Sequence, residues 1–165
     1  MNMTDRAAAL AIVAQRFAET REGADCLADF RRRYDGNPLV IDKWLTVEAM
    51  IPGEGALARI QRLMADPAFS LQNPNRARSL LGTFASANPT GFHRADGAAY
   101  AFFLETIMAI DAFNPQVAAR LATALRSWKQ LEPKRRKRLR ANLARAAAKG
   151  GLSSDLADIL QRIVA

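Results

Sequence analysis

The stretch Asp35-Gly36-Asn37-Pro38-Leu39-Val40-Ile41-Asp42-Lys43-Trp44 decides the fold. Gly36 reads as the stop of one helix. Asn37 offers a side-chain oxygen to the free amides of the next. Pro38 lacks an N–H and has its φ preset for the first helical position. Ile41, Trp44 and Leu45 then follow at three- and four-residue steps, the period of a buried helical stripe.

The same start recurs at Asn73-Pro74 and at Asn114-Pro115, 36 and 41 residues further on in turn. Two antiparallel helices and their turns fill that length, which is the period of helical-pair solenoids. Asn88-Pro89 reads as a turn or a short helix, and Asp96 as the cap of the apolar segment 98–110. Elsewhere Thr4 is placed to cap a first helix, with Leu10, Val13, Ala14 and Phe17 on its inner stripe. A second helix runs from about Asp25 through Phe30 and Tyr34. Leu57, Ile60 and Leu63 mark a helix over 55–65, Leu80, Leu81 and Phe84 follow Pro74, and Val117, Leu121, Leu125 and Trp128 follow Pro115. Pro133 opens another helix, Gly150-Gly151 ends it, and Ser153 caps the last. Runs alternating apolar and polar residues, the mark of half-buried strands, are missing. The expectation is an all-α fold: a superhelical, ARM/HEAT-like array of antiparallel helix pairs, about nine helices in one domain over 1–165. An irregular helical bundle is the alternative.

Composition narrows the function. Half of the 165 residues are hydrophobic and 24% are charged, enough to bury a core without disulfide or metal. No apolar run approaches the roughly 20 residues that span a bilayer, and Met1 to Arg6 carry no signal-peptide pattern. Cys26 and His93 are each alone. One of each cannot supply the usual ligand set of a zinc site, and a serine-type triad could use only His93. The lone cysteine fits a reducing, cytoplasmic setting. The net charge of +8 is unevenly spread: residues 1–113 carry 12 Lys and Arg against 13 Asp and Glu, residues 114–165 carry 12 against 3. The basic excess belongs to the last third.

Four segments go beyond generic helix: the opening stretch; Pro67-Ala68-Phe69 with Asn73-Pro74-Asn75-Arg76-Ala77-Arg78-Ser79-Leu80; Phe92-His93-Arg94-Ala95-Asp96-Gly97 with Tyr100; and Asn114-Pro115-Gln116-Val117-Ala118-Ala119-Arg120-Leu121. In this order and spacing they resemble the C-terminal domain of bacterial aminopeptidase N, a zinc metallopeptidase family, over essentially the whole chain. The resemblance implies a helical domain packed against a catalytic domain of the same polypeptide, capping the active-site chamber and restricting entry to short peptides. The zinc ion belongs to that catalytic domain, whose His-Glu-x-x-His motif this chain lacks, so no cofactor is expected here.

The resemblance also nominates residues. Gln116 matches a glutamine that reaches toward the pocket for the substrate's N-terminal side chain, where an amide commits the pocket to neither charge. The alternative is an ordinary polar residue in a first helical turn. Arg120 and Arg76 are candidates to meet peptide carbonyls or a carboxylate through forked hydrogen bonds; a structural ion pair, with Asp42 or Asp96, is the other reading. His93 is expected to hold its own turn rather than catalyse. Trp44, Trp128, Tyr100 and Cys26 are expected in the core. The run Lys134-Arg135-Arg136-Lys137-Arg138-Leu139-Arg140 reads first as a solvated helix face. The rival functional reading is a free-standing scaffold binding an acidic protein or nucleic acid through that face.

Overall fold

A computed structural model describes residues 2–165, and all regular structure among them is helical. Two compact units divide at the Asn88–Pro89 bond. The first holds α1 (Met3–Phe17), α2 (Arg21–Arg33), α3 (Pro38–Ala49), α4 (Ala56–Met64), α5 (Pro74–Ala77) and α6 (Thr83–Ala87). The second holds α7 (Pro89–Phe92), α8 (Ala98–Asp111), α9 (Pro115–Ala122), α10 (Pro133–Ala147) and α11 (Ser154–Val164). A π-helical turn over Arg78–Gly82 joins α5 to α6, and a 3-10 stretch over Thr123–Gln130 continues α9. Taking unbroken runs as single rods gives ten helices among the described residues. The single turn α7, left open between turn and helix from sequence, makes the tenth.

The three Asn-Pro starts form as expected and share one register. Asn37, Asn73 and Asn114 each accept a backbone amide from the first turn, with proline at the first helical position. The residue after the proline faces outward in all three: Leu39, Asn75 and Gln116. The next two face inward: Val40 and Ile41, Arg76 and Ala77, Val117 and Ala118. A cap therefore fixes more than a boundary; it fixes which side chains enter the core.

In the first unit α3 is the hub, packing on α1, α2, α4, α6 and the π turn. Its Ile41, Trp44, Leu45 and Val47 are buried together with Leu57, Ile60 and Leu63 of α4. The π turn turns the consecutive Leu80 and Leu81 both inward, each fully buried. Asn88 lies buried and donates from Nδ2 to the carbonyls of Ala49 and Ile51 at 2.9 and 2.8 Å. It thus satisfies carbonyls that the end of α3 leaves without helical donors. In the second unit the apolar α8 is central, with Tyr100, Phe103, Ile107 and Ile110 fully buried. Phe92 packs edge-on against Tyr100 and Phe103 at centroid distances of 5.5 and 5.3 Å.

Some local expectations need correction. Asn2, not Thr4, caps α1, and its side chain accepts from Asp5 N. Phe17 is 54% exposed because α1 ends there in a tight corner. Thr20 caps α2, whose first residue Arg21 lies four residues before the expected start, and accepts from Gly23 N. A Cβ at Gly23 would come within 1.8 Å of the Phe17 carbonyl oxygen, so only glycine permits this corner. With α2 in this register Leu27 and Phe30 point inward and Cys26 is exposed, not in the core.

The Asn88 bridge yields a stability prediction. Asn88→Ala leaves two buried carbonyls without these donors, and chemical denaturation should report a loss of about 2 to 3 kcal/mol. A change below about 0.5 kcal/mol would show that the bridge carries little.

Candidate functional site

Gln116 and Arg120 stand on α9, four residues apart, and both are exposed. Four residues is a little more than one helical turn, so the two share a face. The opposite face, Val117, Ala118, Leu121 and Ala122, is buried, and α9 packs on α8 and α11. Asn114 Oδ1 accepts Val117 N at 3.2 Å, which sets the start of the helix. Thr123 Oγ1 donates to the Arg120 carbonyl at 2.6 Å, which closes its end. The loop ahead is held from elsewhere: Asp111, buried, accepts from Ser153 N at 2.8 Å and from Ser153 Oγ at 2.5 Å. Ser153 is itself the cap of α11. One carboxylate therefore ties the end of α8 to the start of α11, the two helices on which α9 rests.

On this fixed base the side chains themselves are unengaged. Among the described residues, neither the Gln116 amide nor the Arg120 guanidinium makes a hydrogen bond or ion pair. Phe113, just ahead of the cap, is 48% exposed. The face thus presents an amide and a cation, with an exposed apolar ring just ahead of the cap. Phe113 was missed from sequence. The signal available was its place outside the helical stripe, directly before the Asn-Pro start.

Arg76 lies elsewhere, in the first unit, and takes the structural one of its two expected roles. It is buried, paired with Asp42, and donates from Nε to Ala68 O and from Nη1 to Pro38 O, both at 2.9 Å. It joins the start of α3, the loop before α5 and α5 itself.

His93 holds its turn, as expected. Its Nδ1 lies 3.0 Å from the Tyr100 hydroxyl, and Arg135 Nε donates to its carbonyl at 2.5 Å. Burial, and next the Arg135 charge, lower the imidazole below its ordinary 6.5. Burial pushes the Tyr100 phenol up to about 12. Trp44, Trp128 and Tyr100 are core residues, and Trp128 Nε1 donates to Ile163 O at 2.6 Å. The chain's residues do not fit a zinc ion: among those described, no three His, Cys, Asp or Glu side chains stand together to hold a metal. Among the described residues, no helix is long and apolar enough to cross a membrane.

The family model described as a domain of unknown function (DUF3458_C) with ARM repeats matches residues 1–165. The chain belongs to this ARM-repeat family. It is 38% identical over 161 residues to aminopeptidase N of Caulobacter vibrioides, covering 98% of this chain and 18% of that protein. Against aminopeptidase N of Escherichia coli the identity is 35% over 164 residues, covering 99% and 19%. The chain therefore spans less than a fifth of the relatives it matches, and corresponds to the C-terminal domain of aminopeptidase N-like enzymes. Among solved structures, Legionella pneumophila aminopeptidase A in complex with aspartic acid superposes with a TM-score of 0.90 at 28% identity, over 99% of this chain and 19% of that one.

The lowered His93 gives a pH prediction. Folding favours the neutral ring, so below about pH 6.5 the unfolded chain takes up this proton first. Stability should fall as pH drops from about 6.5 toward the folded value, and His93→Gln should flatten that segment of a melting-temperature profile. An unchanged profile in the variant would contradict the assignment.

Proposed function

We propose that this chain is a non-catalytic domain of a zinc aminopeptidase, a cytoplasmic enzyme that removes N-terminal residues from peptides. The domain caps the active-site chamber of its catalytic partner in the same polypeptide and limits entry to short peptides. It contributes to substrate binding through the outward face of α9. The observation that carries this reading is the combination of a rigid support with free side chains: α9 is fixed at both ends while Gln116 and Arg120 engage nothing. Preorganised, unengaged polar groups of this kind can bind without first breaking internal bonds. Gln116 would line the space for the substrate's first side chain, accepting from a cation or donating to an oxygen. Arg120 would meet carbonyls or a carboxylate. Arg76 acts only as an anchor of the first unit. The full activity rests on similarity to aminopeptidase N, and the zinc ion is held by residues outside this chain.

The test is specificity in the full-length enzyme. Gln116→Ala should shift the ratio of kcat/KM between N-terminal alanyl and arginyl substrates by roughly tenfold. Because Gln116 is exposed, the melting temperature should stay within about 1 °C. An unchanged ratio across substrates would remove Gln116 from the pocket.

A further inference from the structure

The basic excess of the last third is concentrated on α10 in an arrangement that is unfavourable on its own. Lys134, Arg135, Arg136 and Lys137 crowd its first turns, with no acidic side chain among them. Cations there oppose the helix dipole, and like charges three and four residues apart repel. Glu132 relieves only the nearest of them: its carboxylate accepts from Lys134 N and Arg135 N and pairs with Arg135. Arg138 is used differently, since its aliphatic stem packs over Gly97, whose φ of +73° and lack of a side chain make room for it.

Arg136, Lys137 and Arg140 remain. With Pro133 they occupy positions i, i+3, i+4 and i+7, a single stripe. Together with Trp128 they line a groove of about 420 Å³.

 The parts are held in place. The Trp128 indole is pinned by its bond to Ile163 O, and Arg136 Nη1 donates to the Lys129 carbonyl at 3.3 Å. Lys129 Nζ lies 5.8 Å from the centre of the indole ring and adds a fourth cation beside the groove. Among the described residues, no carboxylate pairs with Lys129, Arg136, Lys137 or Arg140.

We propose that the groove between Trp128 and the Arg136–Lys137–Arg140 stripe binds a compact polyphosphate anion, of the class of inorganic tripolyphosphate or the phosphate chain of a nucleotide. Several cations converging on one small volume call for several negative charges in that volume. A polyphosphate carries them on adjacent groups, whereas an acidic peptide spreads single charges along its length. A single nucleic-acid strand would gain from exposed aromatic faces on which bases stack, and Trp128 is 94% buried by its 6% exposure. Guanidinium forks suit phosphate oxygens, and the ammonium of Lys137 adds a mobile point charge.

Calorimetric titration of the 165-residue chain at low ionic strength tests the site, with tripolyphosphate, ATP, duplex DNA and polyglutamate as probes. Tripolyphosphate should bind, with log K falling linearly as log salt rises. The triple reversal R136E/K137E/R140E should weaken it by at least about tenfold, while K149E, just beyond the C-terminal end of α10, leaves it unchanged. Circular dichroism of the triple variant keeps the result interpretable: without anion it should melt no lower than the parent, since the reversal relieves repulsion. ATP matching tripolyphosphate identifies a nucleotide's phosphate chain as an acceptable source, and ATP binding much more weakly restricts the site to the free anion. The proposal is overturned if tripolyphosphate does not bind, if the folded triple variant binds it equally well, or if only duplex DNA or polyglutamate binds.

Discussion

The start of each Asn-Pro helix is the constraint on which the rest of the structure depends. A helix leaves its first amides without partners, and at Asn37, Asn73 and Asn114 one side-chain oxygen answers that need while the following proline removes a donor altogether. Because the first residue of the helix is then fixed, so is its rotation. The third residue of each motif points out and the fourth and fifth point in. The same device therefore places Gln116 on the surface and Arg76 in the interior, although both are polar and both stand close to a cap.

That register also explains how much was legible in the sequence. The helix starts and the apolar stripes of α3, α8 and α11 follow from spacing alone, because capping and burial act within one or two turns. Gln116 outward and Arg76 inward could have been read by aligning the three motifs, since polar Asn75 holds the position of Gln116 while Val40 and Val117 hold that of Arg76. What local pattern does not contain is contact between distant segments. Asn88 reaching Ala49 and Ile51, Asp111 reaching Ser153, and Arg76 reaching Asp42 each join residues more than 30 positions apart. The exposure of Cys26 had the same origin, since the Thr20 cap and the Gly23 corner set the rotation of α2.

The two halves of the chain use charge differently. In the first unit, arginines close ion pairs inside the fold: Arg76 with Asp42, and Arg59 with the buried Glu48. Burial raises the Glu48 carboxyl and Arg59 works against that rise, so the pair keeps a costly group in a tolerable state. In the second unit, cations outnumber their partners. Arg120 on α9 and the stripe on α10 are left open, and open charge on a rigid support is available to a ligand.

The central claim is that the free face of α9 meets the substrate's N-terminal end. A peptide carrying a photoreactive first side chain, bound to the full-length aminopeptidase and irradiated, tests this by mass spectrometry of the labelled fragments. The account predicts label within residues 113–120 of this domain, competed away by unmodified substrate. Competable labelling confined to segments outside α9 would contradict it.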